Sequence, residues 1–312
     1  MITFYNARYW GLDARLPYED WVRTVYEDPR RYFDGMLDGM VEAGVDGIEF
    51  APAPGGWEGA LRAYGSVEAV GKELSGRGLR LGSSYQDGGS LIGDALRDRG
   101  AEPVADDYTR RHAEFVAALG AGLIVMGTVP RAQFPGGDFE GDVANEVFDR
   151  VSEQVNRMAA ISAKRGVRIA LHTDAYSVCS RNRDISSMLA RTDPASVALC
   201  LDAGHTTLDG GDAVEALREH VGRTPLMHWK DCIGTLDGST LPAPLLERHA
   251  VMLKSFRIFG DGIINWQAWQ RVLRDAGWSG WAMAENDMAE DPVAEIKQAF
   301  AFFDRELAAI HR

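Results

Sequence analysis

Four hydrophobic runs in the second half of the chain each end on side chains that bind metals or move protons: IALHTD (169–174), LCLDAGH (199–205), LMHWKD (226–231) and AMAEND (282–287). Between them they supply His172, Asp174, Asp202, His205, His228, Lys230, Asp231, Glu285 and Asp287. Asp202, His228 and Glu285 offer two hard oxygen donors and one imidazole from three successive runs, a set suited to Mn²⁺, Mg²⁺, Co²⁺ or Zn²⁺ with positions left over for a substrate. Any one of them alone could be a helix cap or a hydrogen-bonded strand end. Three gathered at one place would each need separate compensation if no ion joined them.

The elements that must position them follow from the pattern. Short β-rich runs alternate with stretches of helical period to the end of the chain. Strands are predicted near 1–6, 45–50, 79–84, 122–127, 167–173, 197–202, 225–230 and 280–285, and helices near 29–43, 66–77, 107–119, 144–165, 183–192, 212–221, 266–276 and 291–309. Eight strand-then-helix units imply a parallel sheet closed on itself: an α/β fold, a single (β/α)8 TIM barrel over residues 1–312. In helix 144–165, Phe148, Val151, Val155, Met158 and Ile161 form the stripe expected to face the barrel, and Gly166 is placed to end it in a left-handed conformation. Long connections follow the third strand (85–106, with room for a short helix) and the seventh (231–265), and long loops on a compact scaffold carry function. Such barrels build their sites at the carboxyl ends of the strands, so the four run ends converge on one mouth.

The whole chain sets the remaining bounds. With 46 acidic against 33 basic residues, the net charge of −13 opposes binding to nucleic acid and to anionic membrane. No 18-residue apolar run is present, so no membrane span is expected. Cys179, Cys200 and Cys232 form no CxxC pair and no even-numbered framework, which fits a reducing cytoplasm, with the thiols buried as small apolar groups. DGGD (209–212) lacks the context of a phosphate loop and is expected to be a turn in which Asp212 caps the next helix. Trp10, Trp57 and Trp229 could stack on a sugar ring, though aromatics of this kind usually belong to the core.

The stretch LDAGHTTLDGGDAVEALREH…MHWKD, followed by FGDGIINWQAWQRVLRDAGWSGWAMAEND, resembles the xylose-isomerase-like sugar isomerase/epimerase superfamily, especially its inosose dehydratase-like members. The matching positions are Asp202, Gly204 and His205; His228, Lys230 and Asp231; Gly260, Gly262, Asn265 and Trp266; and Gly280, Trp281 and Glu285, with Glu49 of VDGIEF matching a second-strand signature. The resemblance implies four metal ligands, Glu, Asp, His and Glu, on strands five to eight. Asp202, His228 and Glu285 fill the last three places. At the first, this chain reads ALHTDAYSVCS, leaving His172, Asp174 or water to complete the shell.

That likeness further implies a divalent metal, Mn²⁺ foremost, and a small polyhydroxylated substrate: a keto-sugar, a keto-glycoside or a cyclitol. His172 or Glu285 would remove an α-proton, with Lys230 and His205 serving substrate oxygens and Glu49, Asp174, Trp229 and Asp231 lining the substrate side. Epimerases of the superfamily use two strand-end glutamates, and only Glu285 is present here, which favours elimination over epimerisation or isomerisation. A homo-oligomer, with or without a small partner subunit, is implied as well. An abasic-site endonuclease would want more ligands and a basic surface, and a sugar-binding barrel without catalysis is the non-enzymatic alternative.

Overall fold

A computed structural model describes residues 2–4, 18–134, 141–242, 245–287, 289 and 291–311. Its strands are β1 (Ile2–Phe4), β2 (Gly47–Phe50), β3 (Arg80–Gln86), β4 (Leu123–Met126), β5 (Arg168–His172), β6 (Val197–Asp202), β7 (Leu226–Cys232), β8 (Phe256–Ile258) and β9 (Trp281–Asp287). Eight of them pair in parallel in the order β1-β9-β7-β6-β5-β4-β3-β2, and β1 also comes alongside β2, as a (β/α)8 barrel requires. These eight are the expected strands. The exception is β8, which lies antiparallel on β7 inside the long connection predicted as loop.

Alternation along each strand sorts the side chains into two layers. Leu123, Val125, Ala170, Ala198, Cys200, Leu226 and Met283 fill the barrel interior, with Tyr85 and Trp281 at its ends. The opposite faces pack on the helices. Helix Asn145–Ala163 buries Phe148, Val151, Val155 and Met158 as expected, while Ile161 is only half-buried and Ser162 takes the innermost place in that last turn. Gly166 adopts φ 73° beyond it, and Val167 N–H returns to Ser162 O, closing the helix before β5.

Several boundaries differ from the prediction. β7 and β9 run two residues further, β3 likewise, and the helix expected at 107–119 begins at Glu102. The connection after β3 contains helix Gly88–Arg97, and an additional helix, Trp57–Tyr64, follows β2. The last expected helix, 291–309, is Pro292–Phe302 followed by a wider turn at Phe303–Leu307. All three cysteines are free and buried, Asp212 caps helix Ala213–His220 through Glu215 N–H, and no described helix is long and apolar enough to cross a membrane. Trp57 is a core aromatic, stacked on His112 and donating to Tyr108 Oη at 2.9 Å; Trp10 lies outside the described residues.

Candidate metal centre

Asp202, His228 and Glu285 occupy the inward row immediately above the apolar interior, because they continue the alternation of Cys200, Leu226 and Met283. Asp202 and His228 are register partners on β6 and β7. His172 joins them from the end of β5. All four side chains are buried, and each offers one donor atom within 4.8 Å of the other three.

Each of the four has one atom engaged and one left over. Asp202 Oδ1 accepts His205 N–H at 2.7 Å, capping helix Ala203–Leu208, so the residue is both a cap and a cluster member. His172 Nδ1 donates to Asp174 Oδ1 at 2.8 Å. His228 Nε2 lies 3.2 and 3.3 Å from the two oxygens of Glu49, which Ser83 Oγ also supports at 2.5 Å. Glu285 Oε1 meets Lys230 Nζ at 2.7 Å. What remains is Asp202 Oδ2, His172 Nε2, His228 Nδ1 and Glu285 Oε2, none with a hydrogen bond among the described residues.

These leftover atoms face one another. His172 Nε2 is 3.5 Å from Asp202 Oδ2, and His228 Nδ1 is 3.7 Å from Asp202 Oδ2 and 2.7 Å from Glu285 Oε2, close in charge but unaligned for hydrogen bonding. Donors about 2.1 Å from a tetrahedral ion stand roughly 3.4 Å apart, so the spacing fits a first-row divalent cation. With a carboxylate on the far nitrogen of both imidazoles, the hydrogen is fixed there and a lone pair is aimed inward, the usual support for histidine ligands. Burial opposes charge on His172 and His228, yet Asp174 and Asp202 for His172, and Cys200, Glu49 and Glu285 for His228, hold both well above the ordinary imidazole range, so without an ion each ring keeps a second, inward proton that a cation would displace. The negative field responsible for that also attracts a cation.

Lys230 is buried beside the cluster. Burial pulls it down, but Asp287 at 2.8 Å, Glu285 and Asp202 raise it above the usual lysine range, so it stays charged. Burial would raise Glu285 too; Lys230 and His228 outweigh that and keep it ionised, well below the usual carboxylate range. For Asp202 burial prevails over Lys230, and the carboxyl is raised. His205 Nδ1 accepts the Ala175 N–H at 3.0 Å, which puts the ring hydrogen on Nε2, and Nε2 faces Lys230 Nζ at 3.1 Å. Two donors therefore stand face to face where an oxygen could accept from both.

The structure brings His172, Asp174, Asp202, His205, His228, Lys230, Glu285 and Glu49 together, but Glu49 and Asp174 turn their oxygens to the histidines. Trp229 and Asp231, expected on the substrate side, are placed elsewhere. With His228 and Lys230 inward, alternation sends both outward. Trp229 packs among Phe259, Trp266 and Phe303. Asp231 accepts from Trp266 Nε1 at 2.7 Å and from the backbone N–H groups of Gly260, Ile264 and Cys232, anchoring the segment after β8.

Three features escaped the sequence reading. Tyr85, half-buried at the end of β3, sets its ring edge-on to His172 at 5.9 Å, and its phenol is raised well above its usual range by burial and then by Asp174. Phe256 of β8 packs on His205 at 4.5 Å and lies 4.4 Å from Lys230 Nζ. A buried clamp also ties the rim: Arg131, after β4, pairs with Asp209, after β6, and Arg181, after β5, holds the same carboxylate at 3.0 Å. Asp209 accepts Tyr176 N–H at 3.0 Å, holding a left-handed φ of 62°, and Tyr176 Oη donates to Leu236 O at 2.8 Å, after β7. Tyr85 carried a signal, two residues beyond the last predicted strand position but one; the other two carried none.

Residues 37–306 match the family model of the xylose isomerase-like TIM barrel. An inosose dehydratase of Geobacillus thermodenitrificans is 25% identical over 71% of this chain and 73% of its own. Among solved structures, the IolI protein with a bound zinc atom superposes with a TM-score of 0.66 at 16% identity, over 92% of this chain and 95% of that one. A probable 3-DHS dehydratase, AsbF of Bacillus anthracis, gives the same TM-score at 14% identity over 88% and 94%. With the fold, the strand-end cluster and a match spanning most of its length in agreement, the chain belongs to the xylose isomerase-like TIM barrel family.

Proposed function

We propose that the protein is a divalent-metal-dependent lyase acting on a keto-sugar, keto-glycoside or cyclitol, with elimination favoured over epimerisation or isomerisation. The observation that carries this reading is the set of four unsatisfied donor atoms, two imidazole nitrogens and two carboxylate oxygens, facing one another in a buried mouth beside a charged lysine. His172, Asp202, His228 and Glu285 would hold the ion; two oxygens and two nitrogens suit Mn²⁺, our preferred ion, as well as Zn²⁺ or Co²⁺, and Mg²⁺ less well. Bound there, the ion supplies Lewis-acid polarisation of a ketone and its neighbouring hydroxyl. Relatives named inosose dehydratase support dehydration of a cyclitol ketone.

The chain's own residues divide the remaining work. Glu285, ionised at neutral pH, takes the α-proton, while Lys230 Nζ places a fixed positive charge next to the oxygen on which negative charge develops. His205 Nε2–H, locked by Ala175, orients a substrate oxygen alongside Lys230. Across the cluster stands His172, with one nitrogen on Asp174 and the other facing the ion site, so no second carboxylate is available to deliver a proton to the opposite face. The proton on Glu285 therefore passes to the departing β-oxygen as the C–O bond breaks, and water or an alcohol leaves. Metal-loaded protein incubated in D₂O with an inosose and a panel of keto-sugars tests this by proton NMR. Loss of a β-substituent together with the α-hydrogen is expected, with solvent deuterium at the former β-carbon where the resulting enol ketonises; product that keeps its α-hydrogen would refute α-deprotonation, and no turnover of any ketone would favour a binding-only barrel.

A further inference from the structure

Between β8 and helix Pro292–Phe302 lies a cleft of about 690 Å³, walled by Phe256 and Arg257 on one side and by Asn286, Asp287, Glu295 and Gln298 on the other. It begins where the metal mouth ends. Phe256 lies against the His205 ring at 4.5 Å and under Lys230 Nζ at 4.4 Å, and Asp287 meets the same Nζ at 2.8 Å, so both residues wall the mouth and the cleft together. The volume falls within the roughly 300–1,000 Å³ of sites that enclose a whole small ligand.

The lining defines the chemistry. Asn286 follows Glu285 and faces outward by strand alternation; it is 2% exposed, and its amide nitrogen has no hydrogen-bond partner among the described residues. A buried donor left unmet costs about 1–3 kcal/mol, which an acceptor on a ligand would offset. Phe256 and Ile258 give the cleft an apolar face, and Gln298 adds a further amide. Lys254 and Arg257 are matched by Asp261 and Glu295, and Asp287 by Lys230, so the lining carries no net positive charge to hold a phosphate or another anion. A neutral ring with one apolar face and a rim of hydroxyl or ether oxygens fits all of these requirements.

We propose that the substrate is a glycoside, with its keto-sugar ring at the metal and its uncharged second ring in this cleft, the second ring departing when the β C–O bond breaks. This narrows the proposed function and rests on it. The test uses binding, not turnover, so the two can fail separately: Zn²⁺-loaded protein is titrated with 4-hydroxyphenyl β-D-glucopyranoside and with D-glucose, neither of which bears the ketone. The glycoside should bind at least ~5-fold more tightly, about 1 kcal/mol. It should also shift the amide NMR signals of Arg257, Asn286 and Gln298. Gln298→Trp, which fills the cleft from the helix, should erase that preference, and Gln298→Ala should retain most of it. Equal affinities, undetectable binding of the glycoside, or a preference that survives Gln298→Trp would each overturn the proposal. Failure of every ketone to react would leave a positive binding result standing and would instead sink the lyase reading.

Discussion

Glu49 touches no substrate in this arrangement, yet its replacement should weaken metal binding. Its oxygens lie 3.2 and 3.3 Å from His228 Nε2, and Ser83 Oγ holds the carboxylate at 2.5 Å. Direct attraction to the ion is the smaller effect, since Asp202 and Glu285 already cancel a divalent charge. The larger one runs through the ring: a carboxylate on Nε2–H raises the basicity of Nδ1 and fixes its aim, an influence worth about 10–100-fold in metal affinity. Glu49→Gln can still accept the ring hydrogen, so it should lose about tenfold, or roughly 1.4 kcal/mol. Glu49→Ala abandons both His228 Nε2–H and Ser83 Oγ in a buried setting and should lose about a hundredfold, with about 1–3 kcal/mol of stability lost as well. Competition with a chromophoric chelator for Zn²⁺ measures the first quantity and urea unfolding of the metal-free protein the second. If both variants bind Zn²⁺ within twofold of wild type, the carboxylate–histidine argument is wrong, and with it the assignment of Nδ1 as the ligand atom.

Replacing Asp202 and His228 together with Ala should abolish binding of about one equivalent of metal, so that elemental analysis finds none and the melting temperature no longer rises with metal concentration. His172→Ala should lower metal affinity together with turnover, the latter by at least ~10²-fold, because Nε2 belongs to the donor set; unchanged metal content would make it a base instead. His112 is buried between Gln86 Oε1 at 3.1 Å and Ser84 Oγ at 2.7 Å, and burial pushes it down to about 3. A folded pKa below the unfolded value of about 6.5 means the unfolded chain binds the extra proton, so this stabilisation is complete above that pH and fades as the pH falls toward 3; at pH 5 the loss is about 2 kcal/mol. Urea unfolding at pH 7 and 5 should show a shallower loss in His112→Gln, and an equal loss would rule that origin out. Asp231→Ala should destabilise the fold by about 3 kcal/mol or more through four abandoned donors, while leaving metal affinity near wild type, which titration can check.

The barrel and its mouth were legible because hydrophobic runs that stop on ionisable groups mark strand ends, and an eightfold strand-helix order leaves few alternatives. Asp202, His228 and Glu285 could be placed on one row from period two alone. The same period held the correct answer for Trp229 and Asp231, since inward His228 and Lys230 force their neighbours outward. Membership of the donor set was open between His172 and Asp174 until the backbone fixed which nitrogen faced inward. β8 was hidden because three residues of FRI in a long polar connection show no periodicity. Arg131 and Asp209 are 78 residues apart, and nothing local in either segment foretells the pairing.

That clamp makes the rim unequal. Arg131, Arg181, Asp209 and Tyr176 bind the connections after β4, β5, β6 and β7 into one buried ionic unit, so a substitution in any of them is felt by the other three. Substitutions on that half should therefore be tolerated only in concert, whereas Lys254, Arg257 and Gln298 around the cleft have no part in the unit. Relatives diverging toward new leaving groups, and libraries built to redirect this protein, should accumulate their productive changes on the β8 side of the mouth.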